Sequence, residues 1–100
     1  MQDLAILLHS IGEFGRAAVV LDQMSEIYPN DYRVPMRRAY LEADIQSGIE
    51  NEKRDYSLAK EYYDYASKLY SENVKPGESD PEMQQLDSLI EQLRINKWID

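Results

Sequence analysis

Residues 54–71 read RDYSLAKEYYDYASKLYS. Tyr56, Ala59, Tyr63, Ala66 and Tyr70 fall at spacings of 3, 4, 3 and 4, so in a helix they share one face. Forty-two residues earlier the pattern recurs as Phe14, Ala17, Leu21, Met24 and Tyr28. An aromatic opens each copy, an alanine follows, and a tyrosine ends it. A large–small–large stripe repeated at that distance is what stacked helical hairpins produce, because each hairpin leaves an apolar face that only its neighbour can cover.

The boundaries of the other helices follow from local chemistry. Leu4, Ala5, Leu8 and Ile11 form a short stripe over a first helix that starts near Asp3 and stops at Gly12. The second helix spans residues 14–28 and closes at Pro29, which disfavours helical geometry in the residue before it. The connection at Gly12-Glu13 is short enough to require two antiparallel neighbours. Asn30 or Asp31 caps a third helix that carries Pro35 in its first turn and runs to about Ser47. The polar stretch GIENEKRD over residues 48–55 reads as an extended turn before the fourth helix, which ends near Glu72. Lys75-Pro76-Gly77 marks a loop. Asp80-Pro81-Glu82 starts a fifth helix, with Met83, Leu86, Ile90, Leu93 and Trp98 on one side and polar residues on the other. Only four glycines and four prolines interrupt the 100 residues, so the expected class is all-α.

The ordered set Met1, Leu4, Ala5, Leu8, Gly12, Phe14, Ala17, Leu21, Met24 and Pro29 resembles the tetratricopeptide repeat. A second unit follows with Ala39 in its first helix and Tyr56, Ala59, Tyr63 and Ala66 in its second. It departs from the family pattern at Arg38 and Glu42, where Leu and an aromatic are usual. It departs again at Arg54, in place of the turn glycine, and at Ser71, near the expected proline. The 42-residue offset exceeds the usual 34 by about eight residues, which fall in the 48–55 turn. The resemblance implies an antiparallel hairpin stack of about two and a half repeats. Residues 1–31 are the first repeat, 32–72 the second, and 80–98 a capping helix. It also implies that the first and third helices line a concave binding side. Residues 28–93 resemble, in addition, the helical C-terminal tails of some bacterial serine/threonine protein kinases, which implies an interaction segment of a larger polypeptide; no kinase catalytic motif is present.

The formal charge of −8 repels phosphate backbones and argues against nucleic-acid binding. No apolar run approaches the ~20 residues of a membrane span, so membrane insertion is not expected. The absence of cysteine removes disulfides, thiolate catalysis and cysteine zinc sites, and suits a reducing cytoplasm. With no phosphate-cradling glycine loop and no Cys/His cluster, no cofactor or metal is expected. His9 is the single histidine, and sequence fixes no second catalytic group beside it, so it reads as a groove or surface residue rather than a general base.

The expected function is therefore binding of a protein or peptide, not catalysis. The candidate surface is Arg33, Met36, Arg37 and Tyr40, which share one face of the third helix. Arg33 and Arg37 at i, i+4 can fork around one carboxylate, suiting a partner segment with an acid and an apolar anchor. In the repeat family, two basic residues at this spacing form part of a carboxylate clamp, although Gln2 and Ile6 stand where its asparagines would be. The competing reading is ordinary surface pairing, Arg38 with Glu42 for example. Tyr40, Tyr62 and Tyr65 lie off the core stripe and suit either a binding surface or packing between helices. The alternative function is self-association, with the exposed stripe of the first hairpin pairing with another copy.

Overall fold

The computed structural model describes residues 2–75 and 77–99. Met1, the first position of the repeat pattern, and Pro76, in the expected loop, lie outside them, as does the Gln2 side chain. The described residues form five α-helices: α1 (Gln2–Ser10), α2 (Phe14–Ile27), α3 (Arg33–Ser47), α4 (Ser57–Asn73) and α5 (Pro81–Ile95). A single 3-10 turn, Asn51–Lys53, sits between α3 and α4. The fold is all-α, and no described helix is long and apolar enough to cross a membrane.

The helix ends follow from the punctuation. Gly12 has φ +84°, the left-handed conformation that costs other residues steric strain, and the Glu13 amide donates to the Leu8 carbonyl (2.9 Å) to satisfy an end of α1. Tyr32 already has helical angles, and the Asp31 carboxylate accepts the Arg33 amide (3.0 Å), so Asp31 caps α3 in practice. Asp80 caps α5 by accepting from the Glu82 amide, with Pro81 in the first turn. Within the long α3–α4 turn, Arg54 donates to the Ser47 and Ile49 carbonyls, both 2.8 Å away, so a side chain satisfies the α3 end that a glycine turn leaves to the backbone. Lys97 takes φ +64°, and the chain turns back so that Trp98 packs edge-on against Tyr56 at 5.4 Å.

α3 is the central element and is buried on two opposite faces. Val34 and Leu41 pack with Ala5 and Leu8 of α1 and Ala17, Leu21 and Met24 of α2. Met36, Ala39 and Ala43 pack with Tyr56, just before α4, with Ala59 and Ala66 of α4, and with Met83, Leu86, Ile90 and Leu93 of α5. Each helix therefore rests on the next, and α1, α3 and α5 touch in succession.

The stripes hold in their middles and differ at their ends. Ala17, Leu21 and Met24 are buried, whereas Tyr28 is half-exposed because α2 has ended at Ile27. Tyr56, Ala59 and Ala66 are buried, while the Tyr63 and Tyr70 rings only lean on the core. In α1, Ala5 and Leu8 are buried, but Leu4, and Ile11 just beyond the helix end, are exposed: the helix is apolar on two sides and α2 and α3 cover only one.

Candidate functional site

The four residues of the expected α3 face do not form an open surface. Met36 is 1% exposed and belongs to the core beneath α5. Tyr40 is half-buried, and its hydroxyl donates to the Glu82 carbonyl at 2.5 Å. Arg37 pairs with the Glu82 carboxylate, and its Nε is buried with no acceptor among the described residues. Arg33 makes a two-point contact with Asp31, Nε to Oδ1 at 3.0 Å and Nη2 to Oδ2 at 2.8 Å. The N-terminal turn of α5 thus lies over the Met36–Tyr40 part of this face, and both guanidinium forks already hold a carboxylate. Sequence placed the four on one side of a helix; it carried no signal that α5 would dock there.

A more apolar opening lies on the other side of α3. α2 and α4 flank α3 without packing on each other, and a cleft of about 300 Å³ remains between them. Val34, Pro35 and Leu21 form its floor, Tyr28 and Pro29 one rim, Tyr62 and Tyr65 the other. Tyr28 and Tyr65 are each about half-exposed, and the Tyr65 hydroxyl donates to the Pro29 carbonyl (3.0 Å), joining the two rims at one end. A second, shallower depression shares Tyr62 and Tyr65 and continues along α4 past Leu58, Glu61 and Lys68.

Along the cleft lining and beneath it runs a polar knot made by Arg38 and Glu42, two of the residues that depart from the repeat pattern. Arg38 Nε donates to Glu42 at 3.0 Å, while Nη1 reaches the Ala18 carbonyl at 3.1 Å and Asp22 at 2.6 Å. Its guanidinium also sits over the Tyr62 ring, 5.1 Å from the centroid. Glu42 is itself buried. Burial disfavours the Arg38 charge, but the bond to Glu42 and the carboxylate charges of Asp22 and Glu42 outweigh it and raise the guanidinium above its usual range. The pairing of Arg38 with Glu42 is thus present, and it is internal rather than superficial.

Of the three tyrosines off the core stripe, Tyr40 is used for packing against α5, while Tyr62 and Tyr65 line the cleft. His9 bridges helices: its Nε2 lies 2.5 Å from Asp44 of α3, and its ring meets Phe14 edge-on at 5.7 Å. Among the described residues, no three His, Cys, Asp or Glu side chains are grouped to hold a metal ion. Compared with known protein families, curated proteins and solved structures, the chain matches none.

Proposed function

We propose that this chain is a tetratricopeptide-like hairpin stack that binds a protein segment, as one part of a larger polypeptide, and that the segment enters the cleft between α2 and α4. The observation that carries this reading is the open apolar cleft itself. Its walls are mainly aliphatic and aromatic, with Asp22, Ser25 and Arg38 as the polar part of the lining, its volume of about 300 Å³ suits one large side chain, and its rim tyrosines offer wide, stiff rings of the kind that dominate binding surfaces. The order of helix contacts, each helix on the next and α1, α3 and α5 in succession, supports the repeat reading.

The partner's chemistry follows from what lies inside. Arg33, Arg37 and Arg38 are all engaged by carboxylates of this chain, so the acid once assigned to the partner has no waiting fork on α3. The cleft selects instead for an apolar or aromatic anchor. A net charge of −8 favours partners whose flanking residues are neutral or basic.

The test is selection of peptides from a displayed random library against the immobilised chain, followed by binding to a Ser25→Trp variant. Ser25 is exposed and lines the cleft, so the indole fills it while disturbing no core contact. Selected peptides should share an apolar anchor and bind Ser25→Trp at least about tenfold more weakly, a loss of about 1.4 kcal/mol. The variant's melting curve should stay close to wild type. Peptides that bind both proteins equally contradict the cleft as the site.

A further inference from the structure

A separate depression, of about 480 Å³, lies between α4 and the start of α5. α4 divides its tyrosines between two sides. Tyr62 and Tyr65 line the α2–α4 cleft, whereas Tyr63 and Tyr70, with Ser67 between them, line this depression. Met83 of α5 is buried and adds an apolar wall. Glu78, in the loop before α5, and Asp87 of α5 are both exposed and supply its charge. The two rings are braced. The Tyr63 hydroxyl donates to Asp87 at 2.7 Å, and Tyr70 meets the Tyr32 ring edge-on at 4.9 Å, the Tyr32 hydroxyl itself being held by Asp80. No Lys or Arg lines the depression, and among the described residues neither Glu78 nor Asp87 has an ion-pair partner. The Ser67 Oγ is buried there with no hydrogen bond of ordinary length to a described residue.

We propose that this depression receives the side chain of an arginine carried by a partner protein. Two carboxylates without a cation, in a chain of net charge −8, leave a negative potential that a positive group relieves. The rings select which positive group. A guanidinium is planar and weakly hydrated, so it stacks on a tyrosine face while its N–H groups fork around a carboxylate; an ammonium is a strongly hydrated point charge. The Ser67 Oγ gives a further N–H an acceptor. The same combination is already in use elsewhere in the chain. Arg38 sits over the Tyr62 ring and bonds to Glu42 and Asp22, and Arg54 lies over the Trp98 ring, 5.9 Å from its centroid. The α4–α5 depression has the rings and the carboxylates of the Arg38 knot without the guanidinium. Because Tyr63 and Tyr70 are held in place beforehand, little ordering opposes binding.

The experiment is an NMR titration of the full chain, followed at the backbone amides, with N-acetyl-arginine amide as the probe. The citrulline analogue, which keeps the planar shape without the charge, and the lysine analogue are titrated beside it. The expected result is saturable shifts centred on Tyr63, Ser67, Tyr70 and Asp87, with an affinity in the millimolar range that weakens as salt rises. Citrulline should bind about tenfold more weakly or less, and lysine several-fold more weakly than arginine. These comparisons use the wild-type chain, so no variant's folding enters them. Glu78→Gln combined with Asp87→Asn should weaken arginine binding about tenfold or more while melting near wild type, since both positions are exposed and Asn still accepts the Tyr63 hydroxyl. The cleft variant Ser25→Trp should bind the arginine probe as wild type does, which keeps this site separate from the cleft reading. No saturable shift, shifts scattered over the acidic surface, citrulline or lysine binding as tightly as arginine, or unchanged affinity in the double variant overturns the proposal.

Discussion

Arg38 and Glu42 carry the sharpest consequence of the structure at the level of single residues. Arg38 is shared between the buried Glu42 carboxylate and the exposed Asp22 carboxylate, and removal of Arg38 leaves Glu42 buried and uncompensated. Arg38→Leu should therefore destabilise the chain by about 3–5 kcal/mol in urea unfolding. The double change Arg38→Leu with Glu42→Leu should recover most of that loss, because a buried ion pair replaced by apolar groups of similar volume is often neutral. A double mutant no more stable than the single would show that the knot's link to α2, rather than its charge balance, is what matters. Asp80 gives a second test. Burial raises its carboxyl, but the Tyr32 hydroxyl, the Glu82 and Met83 amides and Arg37 outweigh that and hold it below its ordinary value. A carboxyl depressed in the folded state contributes stability above its unfolded value of 3.8 and loses it as pH falls through the folded value. Asp80→Ala should cost about 1 kcal/mol or more at pH 7 through loss of the cap, and the difference from wild type should shrink below pH 3.8. An unchanged difference at low pH would mean that the carboxylate's charge plays no part.

At the scale of elements, the close crossing of α3 and α4 depends on small residues. Ala39, Ala59 and Ala66 are at most 1% exposed and meet in one cluster. Ala59→Leu should overpack that contact and cost about 1–3 kcal/mol, read as a lower melting temperature; an unaltered melting curve would remove the crossing as a determinant of the stack. Much of this was legible beforehand. Gly12, Pro29 and Asp80-Pro81 set helix ends within a residue or two, and the 3, 4, 3, 4 spacing identified the buried alanines. What the pattern did not carry was the use of α3. A helix buried on two opposite faces shows no single stripe, and Arg38 and Glu42 place charges in the middle of one of them, so Met36 and Tyr40 read as surface when α5 in fact covers them. The Leu4 and Ile11 exposures were hidden for the complementary reason: periodicity marks an apolar side but not whether anything is present to cover it.

At the scale of the whole molecule, the binding reading rests on a gap. α2 and α4 are held apart by α3 and by the Arg38 knot, so the cleft is part of the stack's geometry rather than a flaw in its packing. The most direct test is amide hydrogen exchange of the full chain with and without a peptide selected for binding. The account predicts slowed exchange at the C-terminal end of α2 around Tyr28, in the first turn of α3 at Val34, and along α4 near Tyr62 and Tyr65, with α1 and α5 unchanged. Protection concentrated on the outer side of α1 or on α5, with the α2–α4 cleft unaffected, would contradict it.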